Sequence, residues 1–452
     1  MSRVRLFGTD GIRGQVNTYP MVPELVCAVG RAVARVLAAE EGTAVVVGTD
    51  TRQSADLFAC AAAAGVCAAG RHALMAGVLP TPGIARLTSE TAVAAAAVVV
   101  SASHNPYTDN GVKLFDGAGF KLTDEMEQRV EAAALKLFSG GPAALKGDHA
   151  AVGRVETLSD AETRYLDFLK AGAPSLEEFR IVLDCANGAA HRVGPRLLHG
   201  LGATVRCLGD APDGKNINDG CGSEHPEGLC NAVRQSGADI GLALDGDADR
   251  VVAVDETGEV VTGDQLIAVF ASAMKRRGLL SNDRVVTTVM SNLGLGRALG
   301  AMGVEHRISA VGDRRVLLEM KRSGAVLGGE DSGHLVFLDA HSTGDGLYAA
   351  LRLLGVLRET GQPLSRLKQV MRVYPQVLMN VPVGRKPPIE KVAEITEAIR
   401  KVERALGDTG RVLVRYSGTQ PLCRVMVEGP GETETRRACE RVARAVAEAI
   451  GG

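Results

Sequence analysis

The sequence predicts an α/β protein with a smaller α+β domain at its C-terminal end. Two patterns and a length carry that expectation. Short apolar runs of strand length alternate with amphipathic helical stretches, which is the signature of layered α/β folds. Each run ends in a polar loop rich in glycine or aspartate, where such folds gather their chemistry. The chain has 452 residues, room for roughly three domains at about 150 residues each.

In chain order, Ala44–Val47 reads as a buried strand and leads into Gly48-Thr49-Asp50-Thr51-Arg52. Val93–Val100 leads into Ser101-Ala102-Ser103-His104-Asn105-Pro106. Ile181–Leu183 precedes Asp184-Cys185-Ala186-Asn187-Gly188, and Ile240–Leu244 precedes Asp245-Gly246-Asp247-Ala248-Asp249-Arg250. Val326–Leu327 precedes Gly328-Gly329-Glu330-Asp331-Ser332-Gly333-His334. Continuous apolar strands suit sheets covered on both faces. The tail changes character after Pro382, Pro387 and Pro388. Val392, Ile395, Ile399, Val402 and Leu406 recur at helical spacing, with Gly407 as a stop. Two strand-like runs, Val412–Val414 and Arg424–Val427, flank the loop from Arg415 to Pro421, and a last helix carries Val442, Val446 and Ile450 on one face. Domain boundaries are expected to give residues 1–152, 153–255, 256–372 and 373–452.

Composition narrows the function classes. The chain carries 51 Lys+Arg against 53 Asp+Glu, a formal net charge of −2, which disfavours a nucleic-acid-binding surface. Hydrophobic content of 46% excludes general disorder. Aromatics make up 3% and Trp is absent, so the core must be aliphatic. Glycine, 54 of 452 residues, is about 12% against an average of about 7%. Nine cysteines without a CxxC pair suggest free thiols rather than a zinc site or a disulfide framework. The N-terminus lacks the apolar stretch of a signal peptide, and the most apolar run, Ala92 to Val100, is half a bilayer span. A cytoplasmic protein without membrane contact is expected.

Asp245, Asp247 and Asp249 alternate in one loop. Carboxylates so close repel unless solvated or neutralised, and an all-oxygen set favours Mg²⁺ or Ca²⁺. A solvated acidic turn is the plain alternative. An EF-hand is a second alternative, with Glu256 at the twelfth position, but Arg250 at the sixth, where that loop needs glycine, and strand-like flanks speak against it. Ser103 could be a turn residue, or a serine that carries a phosphate between metal and cations without a Ser-His-Asp triad, since phosphoryl transfer leans on positioning and charge. Asn110-Gly111 reads as a turn. Lys113 beyond it is a phosphate or acid–base candidate, although an exposed lysine is commoner. Arg415-Tyr416-Ser417-Gly418-Thr419, with Arg424, combines guanidinium forks, hydroxyls and a glycine, a set that suits phosphate as well as a plain turn. Gly8-Thr9-Asp10-Gly11-Ile12-Arg13-Gly14 is a second glycine-flanked arginine. Glu330, Ser332 and His334 could grip sugar hydroxyls.

Together these loops resemble the α-D-phosphohexomutase superfamily over nearly the whole chain. The carrying segments are Phe7–Gly14, Ser101–Pro106, Asp245–Arg250, Val311-Gly312-Asp313-Arg314, Gly329–His334 and Arg415–Thr419. Asn216-Ile217-Asn218-Asp219-Gly220-Cys221-Gly222-Ser223 with His225-Pro226-Glu227 is similar too. The resemblance implies three similar α/β domains plus a C-terminal α+β domain around a central active-site cleft. It implies that Ser103 carries the phosphoryl group and that Asp245, Asp247 and Asp249, with the Ser103 phosphate, hold Mg²⁺. Arg13, Lys113 and His334 match positions giving acid–base or electrostatic help. Glu330 and Ser332 would hold the sugar. Arg250 would meet a phosphate-bearing ligand, and Arg415, Ser417, Gly418 and Thr419 the phosphate not being transferred. The implied reaction interconverts glucosamine 6-phosphate and glucosamine 1-phosphate through a sugar bisphosphate, which also serves as activator, and feeds UDP-N-acetylglucosamine synthesis in amino-sugar metabolism. A mannose or glucose phosphate mutase is the alternative. A homodimer is expected from the same resemblance. Outside the superfamily, a metal-dependent phosphohydrolase or a Ca²⁺-binding module would also use the aspartate loop. The chain departs from the family pattern at Gln420, where glutamate is usual, at Asp331, where Asn or Gln is commoner, and at Ala55, where glycine is usual.

Overall fold

The structure, a computed structural model, describes residues 6–8, 10–141, 151–417 and 421–451. The chain forms two compact units, one of Met1–Val289 with Glu305–Lys368, the other of Met290–Val304 with Gln369–Gly452.

The first unit holds three sheets built to one plan. The first contains β1 (Ile12–Gln15), β2 (Ala44–Thr49), β3 (His72–Val78), β4 (Ala94–Val100), β5 (Asp109–Asp116) and β6 (Val155–Thr157) in the order β1-β5-β4-β2-β3-β6. The second contains β7 (Arg180–Asp184), β8 (Thr204–Leu208), β9 (Ile240–Leu244), β10 (Val251–Asp255) and β11 (Val260–Val261) in the order β11-β10-β9-β7-β8. The third contains β12 (Arg284–Thr288), β13 (Glu305–Ser309), β14 (Leu327–Gly329) and β15 (Leu335–Phe337) in the order β13-β12-β14-β15. In each, a parallel core ends in an antiparallel hairpin: β4 with β5, β9 with β10, β14 with β15. The repetition is topological, and the sequence does not display it. A parallel core needs helical crossovers, which supplies the alternation of apolar strand and amphipathic helix.

Helix α1 (Pro23–Val36) and helix α2 (Ala55–Cys67) explain how a core with few aromatics closes. A Cβ on Gly30 of α1 would lie 2.2 Å from the Ala62 carbonyl oxygen of α2, and one on Gly65 would lie 2.0 Å from that of Cys27. The two helices pack backbone to backbone, with Val29, Val33, Phe58 and Val66 filling the remaining space.

Two local expectations are corrected. Asn110-Gly111 is not a turn: both residues lie in β5, paired with β1. A Cβ at Gly111 would meet the Ser101 and Ile12 carbonyl oxygens at 2.6 and 2.7 Å, so the glycine admits close strand approach. Gly328 and Gly329, expected in a loop, belong to β14.

The second unit is a three-stranded antiparallel sheet, β16 (Gln376–Pro382), β18 (Leu422–Glu428) and β17 (Arg411–Tyr416), with the helices Ala393–Leu406 and Glu432–Ile450 on it. Ile395, Val402, Leu406, Val442, Val446 and Ile450 are buried in its core, the positions the helical periodicity selects. Asn292 donates to the Tyr374 carbonyl at 2.9 Å and ties the helix Leu293–Ala301 into this unit.

Candidate active site

Three loops at the same place in the three related sheets carry the candidate chemistry. Ser103 lies between β4 and β5, Asp245–Arg250 between β9 and β10, and Glu330–His334 between β14 and β15. Ser103 is buried, and its φ of +53° is a conformation that L residues rarely adopt. Such backbone costs on the order of 1–3 kcal/mol and persists only where its surroundings impose it. Its Oγ donates to Asp245 Oδ2 at 2.5 Å and lies 3.3 Å from His104 Nδ1.

Asp245, Asp247 and Asp249 are buried, and each offers an oxygen within 4.8 Å of the others. Among the described residues they are the one such group of three or more potential ligands. Asp247 Oδ1 and Asp249 Oδ1 are sealed from solvent without a hydrogen-bond donor. Orphaned buried carboxylate oxygens beside a third carboxylate fit a hard divalent cation. Burial, then Asp249 and Asp247, push the Asp245 carboxyl well above the usual range. Burial pushes Asp249 up as well, but Lys113 and His334 outweigh it and hold that carboxyl well down. The solvated-turn alternative therefore fails, because all three carboxylates are buried.

Lys113 is not an exposed lysine. It is 2% exposed, with Nζ 2.7 Å from Asp247 Oδ2, 3.2 Å from Asp249 Oδ2 and 3.2 Å from Asp10 Oδ2. Burial alone would lower its pKa, yet Asp10, Asp247 and Asp249 raise it well above normal, so it stays cationic. Asp10 also pairs with Lys121, Lys121 with Asp313, and Asp313 Oδ2 lies 3.9 Å from His334 Nε2. His334 Nδ1 lies 3.7 Å from Asp249 Oδ1. Asp249, Lys113, Asp10, Lys121, Asp313 and His334 thus form a closed ring of alternating acidic and basic groups. Burial opposes a proton on His334, but Asp249 and Asp313 raise its pKa.

Arg13 pairs with Asp10 and donates to Asn105 Oδ1 at 3.2 Å, beside the Ser103 loop. The Arg250 N–H donates to Asp245 Oδ1 at 3.2 Å, and its guanidinium lies 3.4 Å from Glu224. Glu330 accepts the Gly312 N–H at 3.1 Å, while Ser332 is exposed. In the second unit Arg415 stands opposite Arg424 across β17 and β18, and Ser417 is buried with its carbonyl accepting from Lys386 at 2.8 Å. Gly418, Thr419 and Gln420, like Thr9, lie outside the described residues.

Several site residues escaped the sequence reading. Thr81 donates to Asp247, and Asp10, Lys121 and Asp313 complete the ring. Asp10 and Asp313 lie inside segments that carry the family resemblance, and their charge was the available signal. Thr81 and Lys121 offer none in sequence.

Models of the phosphoglucomutase/phosphomannomutase domains match in order: α/β/α domain I at residues 4–139, domain II at 163–258, domain III at 262–374 and the C-terminal domain at 378–445. A phosphoglucosamine mutase of Syntrophus aciditrophicus is 48% identical over 451 residues, covering 99% of this chain and 100% of that protein. One of Desulforudis audaxviator is 49% identical over 445 residues, covering 98% of each. The chain belongs to the phosphoglucosamine mutase family. This mutase is an isomerase of the phosphohexomutase type. Among solved structures, a phosphoglucomutase/phosphomannomutase family protein of Burkholderia thailandensis aligns at TM-score 0.81 and 23% identity over 98% of the mutase and 97% of its own chain. Aspergillus fumigatus N-acetylphosphoglucosamine mutase, in complex with GlcNAc-6P and magnesium, aligns at TM-score 0.69 and 18% identity over 98% and 96%. These two extend the likeness in fold. No helix among the described residues is long and apolar enough to cross a membrane.

Proposed function

We propose that the protein interconverts glucosamine 6-phosphate and glucosamine 1-phosphate through a phosphorylated Ser103 and a glucosamine 1,6-bisphosphate. The observation that carries this reading is the contact of the Ser103 hydroxyl with Asp245, within a buried triad in which Asp247 Oδ1 accepts no hydrogen bond. Asp245, Asp247, Asp249 and the Ser103 phosphate would hold Mg²⁺. Bound there, the ion would neutralise charge on the transferring group.

The serine ester bond to phosphorus breaks as the sugar 1-hydroxyl oxygen bonds to phosphorus. The hydroxyl proton leaves to a base, and Ser103 Oγ regains one. The bisphosphate then turns round, and its 6-phosphoryl group passes to Ser103, restoring the phosphoenzyme. Arg13, Lys113 and His334 would offset developing charge, and transfer of this kind relies on such fixed cations. Glu330 and Ser332 would orient the sugar, and Arg250 would meet its phosphate. Arg415, Ser417, Gly418 and Thr419 would hold the phosphate not being transferred. The pairing of Arg415 with Arg424 at one register position supports that role, since two neighbouring like charges suit a dianion. The amino-sugar pathway step, a homodimer and a cytoplasmic setting belong to the same proposal, the last supported by nine free thiols.

Peptide mapping by mass should find one phosphate on Ser103, discharged by glucosamine 6-phosphate. A coupled assay on glucosamine, glucose and mannose 6-phosphates should favour the amino sugar. A stronger response to mannose or glucose would move the protein to the alternative phosphomannomutase/phosphoglucomutase activity. Steady release of inorganic phosphate that survives Ser103→Ala would make it a phosphohydrolase.

A further inference from the structure

The loop that bears Ser103 is held partly by its own backbone, with the Asn105 N–H donating to the Ala102 carbonyl and the Asp109 N–H to the Pro106 carbonyl, both at 3.1 Å. Three of its carbonyl groups also accept from a guanidinium delivered by another strand end, after β2. Arg52 donates from Nη2 to the Ser103 carbonyl at 2.9 Å and to the Asn105 carbonyl at 2.8 Å, and from Nη1 to the Pro106 carbonyl at 2.5 Å. Its Nε donates to Asp50 Oδ2 at 2.9 Å, in an ion pair whose side chains are both 0% exposed. Asp50 Oδ2 also accepts from Ser101 Oγ at 2.6 Å, and Ser101 Oγ accepts the Ser103 N–H at 3.0 Å. Both backbone faces of Ser103 are therefore tied to one buried pair. Asn218, from the second sheet's side, donates to the same Ser103 and Asn105 carbonyls at 2.9 and 3.1 Å.

We propose that Arg52, anchored by Asp50 and seconded by Asn218, is a positioning residue for phosphoryl transfer: it holds the Ser103 loop in its left-handed backbone so that Oγ faces the metal-binding carboxylates. Arginine suits the task because its planar fork can serve three carbonyls and a carboxylate at once, which a lysine ammonium cannot. A structural ion pair could sit anywhere in a buried core. This one spends every guanidinium nitrogen on Asp50 and three carbonyls of the nucleophile's loop. Misplacement of a reacting group by about 1 Å costs on the order of 10²-fold in rate.

The inference rests on the phosphoserine reading and is tested separately from it. Wild type, Arg52→Lys and Asn218→Ala are each charged with a hexose 1,6-bisphosphate, and Ser103 phosphate is followed by mass during a single turnover with glucosamine 6-phosphate. The expected result is about 10²-fold slower discharge for Arg52→Lys and about tenfold for Asn218→Ala. KM should stay within about threefold, and Mg²⁺ affinity by calorimetry should stay at the wild-type value, a split that general unfolding would not give. If Arg52→Lys does not fold, Asn218→Ala decides. Wild-type discharge rates in a folded variant overturn the positioning role, as does an equal loss of Mg²⁺ affinity. A wild-type protein that never carries phosphate on Ser103 overturns the underlying reading instead.

Discussion

The ammonium of Lys113 and a carboxylate oxygen of Asp247 stand 2.7 Å apart with both side chains sealed from solvent. The lysine occupies the electrostatic place that a cation would share. Replacing it should leave two buried carboxylates short of a counter-charge, a loss typically of about 3–5 kcal/mol. Lys113→Met should unfold earlier without Mg²⁺. Added Mg²⁺ should then stabilise the variant more than the wild type, because the ion no longer competes with the ammonium. Thermal unfolding with and without Mg²⁺ measures both. Equal Mg²⁺-induced shifts in the two proteins would refute the competition.

Ser103 holds a φ of +53° that glycine adopts freely. Mutase activity should fall at least 10³-fold in both Ser103→Ala and Ser103→Gly. The glycine variant should nevertheless be the more stable of the two by about 1 kcal/mol, since Ala keeps the Cβ that makes this backbone costly. Denaturant midpoints of the two variants report the difference. An alanine variant as stable as the glycine one would show that the strain is absent.

His341 and Asp345 are buried, with His341 Nε2 3.6 Å from Asp345 Oδ2 and the Tyr165 hydroxyl donating to Asp345 at 2.8 Å. Burial, with Arg86 through space, lowers His341 to about 3. Burial raises Asp345 to about 6 against the hydrogen bonds of Tyr348 and Tyr165, with Asp249 adding to the rise. Below about pH 6.5 the unfolded chain protonates a histidine that the folded protein keeps neutral, so this contribution is lost as pH falls toward 3. Asp345 acts in the opposite sense: its contribution is full below about pH 3.9 and is lost as pH rises through about 6. The histidine is displaced further and sets the net sign. Relative to wild type, His341→Asn should gain stability as pH drops from 6 to 4. Denaturation midpoints across that window check it, and a constant difference would refute it.

Gly30 on α1 faces the Ala62 carbonyl of α2 with no room for a methyl group. Gly30→Ala should cost about 1–3 kcal/mol by forcing the helices apart. Gly228, exposed in the helix Glu227–Ser236 with open space around it, should accept alanine without cost, and the pair of melting curves makes the comparison.

Much of this protein was legible because its chemistry is local. The three aspartates fall at alternate positions in one loop, a pattern that residue type and spacing show, whereas Ser103 is separated from a plain turn residue only by the family resemblance. Ile240–Leu244 and the helix ending at Gly407 are set by short-range pattern. Lys121, Thr81 and Asn218 act through partners far away in sequence, and single-chain periodicity carries no trace of such pairings. Asn110-Gly111 misled for a related reason. Asparagine before glycine is favourable in a turn, but the pairing of β5 with both β1 and β4 overrides that local preference. The shared hairpin plan of the three sheets was hidden because topology survives after sequence similarity has faded.

The alternation of acid and base around Asp249, Lys113, Asp10, Lys121, Asp313 and His334 is a circuit and not a chain. In a chain, neutralising one member strands an end. In a circuit, every neighbour of the lost member keeps a second connection. Single neutralisations at Asp10 or Asp313 therefore leave each remaining group attached, whereas removing both strips Lys121 of both its ion-pair partners. That double variant should be worse than the sum of the singles, and fault tolerance of this kind would let the site pass through changes of ligand charge without coming apart.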